Sequence, residues 1–382
     1  MAHSDNPAIP EIGVGIVGFG FIGKVHAYSY LNQSLFYDPP PARPRLVGVC
    51  TSRPESAEKA RQAGGFEFGT TRFEELLERD DIHVIDVATP NDLHRDEVIA
   101  ALEAGKHVYC DKPLSVTLSE ARKMLAASEA RPELKTGMAF HMRFIPAIMR
   151  ARQLIDEGFL GRVYHFRASY LHAGYADPKR PMSWRLGPTG GCLADLGSHM
   201  IHLMRSLLGE YASVRGTLER WVDQRPAAPG STEMAPVEVD DYCCLQARMA
   251  SGALGFIEAS RFATGTEDSA SFEIYGERGS LRWSMMDANY LEAYDATAPA
   301  ERQGFTRIAT VQQYPKPSIL PSPKLPVGWM RFHMHSVHDF LTAIVSGEPG
   351  TVTLRDGAAT QAVDEAVRAS AKSGEWADVP AT

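Results

Sequence analysis

The stretch at residues 13–27, GVGIVGFGFIGKVHA, constrains what this chain can fold into more than any other. Its first half is short, apolar and rich in Val and Ile, the pattern of a strand buried on both faces. Its second half sets Gly18, Gly20 and Gly23 at the three positions of G-x-G-x-x-G. The three glycines answer three different physical needs. Gly18 permits a tight turn, Gly20 carries no Cβ to hold a pyrophosphate off the backbone, and Gly23 lets a helix pack close to the strand. That helix would begin at Phe21 and Ile22, and its unpaired N–H groups and dipole favour a negative ligand. Glycines also mark ordinary turns, so the inference rests on the strand-to-helix setting.

The next segments repeat the strand–helix alternation. The first helix runs to about residue 35 and is broken by DPPPARPR at 38–45; a second strand follows at 46–50. In the NAD-type fingerprint an acidic residue at the end of this strand binds the ribose hydroxyls. Here Thr51, Ser52 and Arg53 stand there, with no carboxylate to repel a 2′-phosphate and a guanidinium to bind one, which leans toward NADP. Because Pro54 follows, Arg53 also suits a solvated turn. Helices at 55–63, 73–79, 96–104 and 119–130 alternate with strands at 83–89, 107–110 and 134–140, which predicts a parallel sheet covered by helices on both faces. Thr89, Pro90, Asn91 and His94 fall just past a strand end, as do Asp111, Lys112 and Pro113. Ligands bind at that edge in open α/β sheets. His94 reads equally well as a surface residue at a helix start, and Lys-Pro is also a common surface turn.

A chain of 382 residues exceeds one core, so two domains are expected, divided near residue 145. The formal net charge of −8, with no basic patch, argues against a nucleic-acid partner. No apolar run approaches the ~18 residues of a membrane span, and the first residues show neither the basic nor the apolar region of a leader. A cytoplasmic protein is expected. Five cysteines without paired spacing suggest buried thiols rather than a disulfide framework or zinc site.

Beyond a helix at 146–158 the texture changes. Alternating strands appear at 162–172, 212–222, 240–249, 253–261, 271–275 and 280–285, several joined by short glycine-containing turns, which predicts an α+β domain on a large, mostly antiparallel open sheet. Proline-rich stretches at 224–236 and 315–328 read as surface loops, and helices at 330–346 and 354–373 close the chain, packing back beside the first domain. One helical segment interrupts the sheet: GGCLADLGSHMIHLMRSLLG at 190–209. On a regular helix Asp195, His199 and His202 share a face, with Leu196, Met200, Leu203, Met204 and Leu207 packing on another. Those three polar residues could in principle ligate a metal, yet helix histidines are more often core or capping residues, and no metal is assigned.

The glycine turn, the TPND–LH segment at 89–94, the Asp111-Lys112-Pro113 tripeptide, Arg143-Phe144 before Pro146, the GGCLADLGSHMIH run and the ending at 370–376 together resemble the Gfo/Idh/MocA family of NAD(P)-dependent oxidoreductases. The resemblance spans nearly the whole chain. It implies a Rossmann domain followed by an α/β domain whose open sheet often joins subunits, hence a homodimer or homotetramer, and a secondary carbinol of a sugar, inositol or related cyclic polyol as substrate. Lys112 matches the lysine of the family's E/D-K-P motif, and Asp195 and His199 match the acid and histidine of G-G-x-x-x-D-x-G-x-H. Asp111 stands where glutamate is commoner, and His202 where the family usually has aspartate. Trp184 and Arg185 resemble a substrate-side loop of sugar-dehydrogenase branches and, with Arg143, are candidate substrate contacts.

The chemistry these residues imply is coherent. Removing hydride from a carbinol carbon requires the hydroxyl proton to leave, and a histidine with an ordinary pKa near 6.5 suits that role, here given to His199. Asp195 would fix the histidine tautomer or bind a substrate hydroxyl, and Lys112 would stabilise the developing alkoxide. Two other readings of the same residues are a glycosidase that uses bound NAD transiently and a non-catalytic sugar or cofactor sensor.

Overall fold

The structure, a computed structural model, describes residues 9–311, 314–322 and 324–382. The expectation of no leader rests partly on residues 1–8, which lie outside these, and one residue of the proline-rich stretch at 315–328 does too. The described chain forms two compact units.

The first unit contains a parallel sheet of β1 (Glu11–Val17), β2 (Arg43–Cys50), β3 (Phe68–Thr70), β4 (Val84–Val87), β5 (His107–Cys110) and β6 (Thr136–Met138), in the order β3-β2-β1-β4-β5-β6. Every residue of β1 after Glu11 is buried, as its unbroken apolar run requires. The order reverses direction at β1 and β4, so their carboxyl ends open the crevice in which such sheets bind ligands. The helix Trp329–Ser346 belongs to this unit: Val337, Phe340 and Leu341 join Val14, Ile16 and Tyr109 in one apolar cluster. Full burial of side chains of this size stabilises by about 1.5–3 kcal/mol each. The same helix buries His335 and His338. Tyr37 bonds His335 Nδ1 at 2.7 Å and stacks on His338 at 3.5 Å, while Arg331 donates to the Tyr37 hydroxyl at 2.6 Å. Burial, with the Arg331 charge adding to it, pulls His338 down to about 3, so this core is held by neutral imidazoles.

The second unit carries a nine-stranded sheet. Its strands are β7 (Val163–Leu171), β8 (Tyr211–Glu219), β11 (Tyr242–Met249), β12 (Leu254–Ser260), β13 (Ser269–Gly276), β14 (Gly279–Ser284), β15 (Tyr290–Asp295), β16 (Phe305–Ala309) and β17 (Ala377–Asp378). They run in the order β16-β15-β14-β13-β7-β12-β11-β8-β17, and a ribbon of β9 (Gln224–Pro226) and β10 (Met234–Pro236) stands apart. All pairs are antiparallel except β7 with β12. The helix Ser198–Leu208 buries Met200, Leu203, Met204 and Leu207.

The fold class is the expected one, a Rossmann-type sheet followed by a mixed-sheet domain, but the chain passes between the units more often than a single boundary near 145 allows. The first unit takes 9–111, 123–141 and 314–354; the second takes 112–122, 142–311 and 355–382. The Lys112 segment goes with the second unit, where Gln361 Nε2 donates to the Val116 carbonyl at 3.1 Å and Glu365 accepts from the Leu118 N–H at 3.3 Å. The two C-terminal helices therefore part company, Trp329–Ser346 with the first unit and Leu354–Ser373 with the second. The stretch at 224–236, read as loop, holds the β9–β10 ribbon, and β3 is too short at three residues to show a period.

Candidate active site

At the end of β1 the glycines meet the constraints the motif implied. Gly18 lies at φ +85°, and a Cβ there would come within 2.5 Å of the Ala88 carbonyl oxygen. A Cβ on Gly23 would meet the Gly18 carbonyl at 2.3 Å. Gly20 differs, with no atom within 4 Å of a would-be Cβ, so its bareness serves something outside the fold. It caps the helix Phe21–Leu31, whose first turn has neither a side-chain cap nor an acidic residue, leaving the N-terminal N–H groups for an anion. This cradle fits a dinucleotide pyrophosphate. Phe21 is exposed and stacks on Trp329 at 5.5 Å, while Ile22 is half-buried.

The other cofactor candidates sit at the neighbouring strand ends. After β2, Ser56 Oγ donates to the Arg53 carbonyl at 2.8 Å and accepts from Thr51 Oγ1 at 2.7 Å, which fixes the turn and leaves the Ser52 and Arg53 side chains exposed. After β4, Thr89 donates to Glu97 Oε2 at 2.5 Å, and the His94 Nε2–H donates to the Thr89 carbonyl at 2.9 Å. Burial pushes the Glu97 carboxyl up to about 7, against the opposing effect of the Thr89 bond. His94 is buried rather than a surface residue, and Asn91 and Asp111 are buried as well, while Pro90 is half-buried.

The candidate catalytic residues lie in the second unit. Lys112 Nζ donates to Asp195 Oδ1 at 2.9 Å and to the Asp195 carbonyl at 2.7 Å. The other carboxylate oxygen, Oδ2, accepts from Arg261 Nη2 at 3.0 Å, with Arg185 Nε at 3.6 Å. Burial alone would raise the Asp195 pKa, but Lys112, Arg261 and Arg185 override it and hold the carboxyl well below the usual range. Asp195 is an anion at any working pH. Both of its oxygens are engaged by cations.

The local backbone explains why the sequence reads G-G before this aspartate. Gly191 adopts φ +105°, and a Cβ there would lie 2.4 Å from Asp240 Oδ1. Asp240 in turn accepts from the Leu193 N–H at 2.7 Å through its other oxygen. The segment Leu193–Gly197 is a π-helical turn, wider than the regular helix assumed from the spacing, and it runs into Ser198–Leu208. His199 is buried near the start of that helix, its ring 5.7 Å from Tyr170. His202 is buried too. Burial, assisted by the Arg143 and Arg205 charges and opposed by Asp356, pulls its pKa to about 3, so a neutral imidazole stands where the family commonly has a carboxylate.

Of the substrate candidates, Arg185 reaches Asp195 and lays its guanidinium over the Trp184 ring at 4.4 Å. Arg143, in the 3-10 turn His141–Phe144, is half-buried and acts electrostatically on His202. Among the described residues no three His, Cys, Asp or Glu side chains converge as a metal would require. Four cysteines are buried, whereas Cys244 is half-buried. The residue missed in the sequence is Arg261. A signal existed: it continues the inward phase of Ile257 and Ala259 past the end of β12, where a charged residue is out of place.

Comparison with known proteins decides the lineage. The oxidoreductase family's NAD-binding Rossmann fold matches residues 12–136, and the GFO/IDH/MocA C-terminal domain matches residues 148–282. Levoglucosan dehydrogenase from Pseudarthrobacter phenanthrenivorans is 35% identical over 385 residues, covering 97% of this chain and 98% of that protein. The chain belongs to the Gfo/Idh/MocA family. Inositol 2-dehydrogenase from Rhizobium meliloti, 28% identical over 361 residues, covers 94% of this chain and 96% of its own length. A solved structure of levoglucosan dehydrogenase in complex with NADH and levoglucosan superposes with a TM-score of 0.92 at 35% identity, covering 97% of this chain and 100% of that one. This Gfo/Idh/MocA member is an NAD(P)-binding dehydrogenase of the group that acts on sugar and polyol hydroxyls. Among its described residues no helix is long and apolar enough to cross a membrane.

Proposed function

We propose that the protein transfers hydride between a nicotinamide cofactor and a secondary carbinol or ketone of a sugar, anhydrosugar, inositol or related cyclic polyol, with Lys112 and His199 handling the hydroxyl proton. The observation that carries this reading is the Lys112–Asp195 pair: a lysine ammonium aimed by two bonds to one residue whose charge is locked by two arginines. An ammonium so held lowers the cost of an adjacent alkoxide, a contribution of a few kcal/mol in such sites. His199 accepts the hydroxyl proton, a role suited to imidazole. Arg185, Trp184 and Arg143 contact the sugar. When bound, the nicotinamide supplies the hydride acceptor or donor.

The substrate class is supported by the relatives, one a levoglucosan dehydrogenase and one an inositol 2-dehydrogenase. Either cofactor fits the glycine cradle. The Thr51-Ser52-Arg53 turn favours NADP, while the solved relatives in complex with NADH support NAD, so turnover with both is expected. Placement in the cytoplasm and a homodimer or homotetramer joined through the open nine-stranded sheet complete the proposal.

The test is a rate screen at 340 nm with both cofactors against monosaccharides, anhydrosugars and inositols. Oxidation of at least one cyclic polyol is expected. Product formed with no net change in absorbance would point instead to a glycosidase that uses NAD transiently. Cofactor and sugar binding with no turnover across the panel would point to a sensor.

A further inference from the structure

We propose that Arg261 is a positioning residue for the reaction, the buried fork that fixes Asp195 so that Lys112 is aimed and stays aimed. The inference rests on the Lys112 reading above. Arg261 follows directly on β12 and is fully buried. Its guanidinium ties two backbone carbonyls to one carboxylate. Nη1 donates to the Arg185 carbonyl at 3.1 Å, and Nη2 donates to the Gly191 carbonyl at 2.8 Å and to Asp195 Oδ2 at 3.0 Å. The plane lies over the Tyr175 ring at 4.7 Å.

Each contact bears on the site rather than on the sheet. The Arg185 carbonyl belongs to the turn that presents Trp184 and Arg185, and Gly191 opens the π-helical turn that carries Asp195. Burying a guanidinium is costly unless its charge and donors are answered, and here one carboxylate and two carbonyls answer the charge and three of the N–H groups, while the buried Nε–H has no partner among the described residues. A lysine could supply the charge but not a rigid planar fork with several donors in fixed directions. The charged and titratable groups acting on Arg261 besides Asp195 are Cys192, Tyr175 and Asp240. Lys112 and Arg185 complete the ring around the carboxylate.

The experiment compares Arg261→Gln, Arg261→Lys, Lys112→Met and Asp195→Asn in the full chain, each first shown to bind NADH or NADPH as the parent does. For Arg261→Gln, kcat falls by about 30-fold or more with a smaller change in KM, because Asp195 keeps its charge but loses the fork that fixes its Oδ2. Arg261→Lys regains most of the lost kcat but stays several-fold low, since it restores the charge without the planar fork. In the Asp195→Asn background, replacing Arg261 costs little further, since the group it acts through is already gone. Should the Gln variant not fold, the Lys variant alone decides: parental kcat overturns the proposal. An equal loss of kcat in the Gln and Lys variants also overturns it, because a merely structural role would give that result. Retained turnover in Lys112→Met would instead remove the mechanism beneath it, and an inactive Lys112→Met beside a fully active Arg261→Gln would reject only the positioning role.

Discussion

At the end of β1 the main chain shapes the candidate cofactor cradle: Gly18 turns at φ +85°, and Gly20 leaves open space before a helix N-terminus with no side-chain cap. At Asp195 the arrangement is the reverse, with one carboxylate gripped by the side chains of Lys112, Arg185 and Arg261, residues far apart in the chain. A site made of backbone tolerates almost any neighbouring side chain but hardly any Cβ at the critical glycines. A site made of side chains depends on each charge being answered by the others, so one loss is felt by all of them.

The largest effect expected is at the side-chain site. Lys112→Met should lower turnover by ~10³-fold, the scale of removing one oxyanion-stabilising donor, while a fluorescence titration still shows parental cofactor affinity. A fall in affinity to match would mean the two sites are less separable than their construction implies.

The backbone site should respond in the opposite way. Gly20→Val places a branched side chain where nothing now stands, so cofactor affinity should drop by ~10²-fold with the melting temperature of the unliganded protein unchanged. The same replacement at Gly18 should also lower the melting temperature, because there the Cβ meets the Ala88 carbonyl and the φ angle is unfavourable. Equal melting temperatures for the two variants would contradict the distinction drawn between them.

A smaller effect is expected at the side-chain contact that would read the 2′-phosphate. Arg53→Ala should weaken NADPH binding by about tenfold and spare NADH, as measured by calorimetry. Equal losses would show that Arg53 does not read the 2′-phosphate.

The last effect concerns stability alone and sets the charged site against the neutral imidazole core. His338 is held near 3 against an ordinary 6.5, so its neutral form contributes fully above pH 6.5 and the contribution declines as pH falls toward 3. By pH 5 that one group should cost about 2 kcal/mol, read from urea unfolding at pH 7 and 5. His338→Phe should flatten the slope. Asp195 should not contribute to it, since its carboxyl stays ionised throughout that window. A slope unchanged by the Phe replacement would show that other buried histidines, His202 among them, carry the acid sensitivity.

How much of this was legible in the chain differs between the two regions for the same reason. Residues 13–27 announced their strand, turn and helix because glycine placement and an unbroken apolar run are local properties, written within a few positions. Lys112, Asp195 and His199 were singled out by their motifs, but the spacing argument that put Asp195 and His199 on one face assumed a regular helix, and the turn there is π-helical. Arg261 escaped because a single arginine after a strand looks like a solvated end; only the inward phase of Ile257 and Ala259 marked it otherwise.

The sequence alone determined most of the elements and their alternation and carried the family resemblance, since periodicity, glycine positions and motif residues depend on near neighbours along the chain. Tertiary structure alone decided that the Lys112 segment joins the second unit, that Asp195 serves three cations, and that His202 and His338 are held neutral. Those outcomes depend on burial and on charges brought together from distant positions, and neither desolvation nor a Coulomb pair has a signature within any short stretch of sequence.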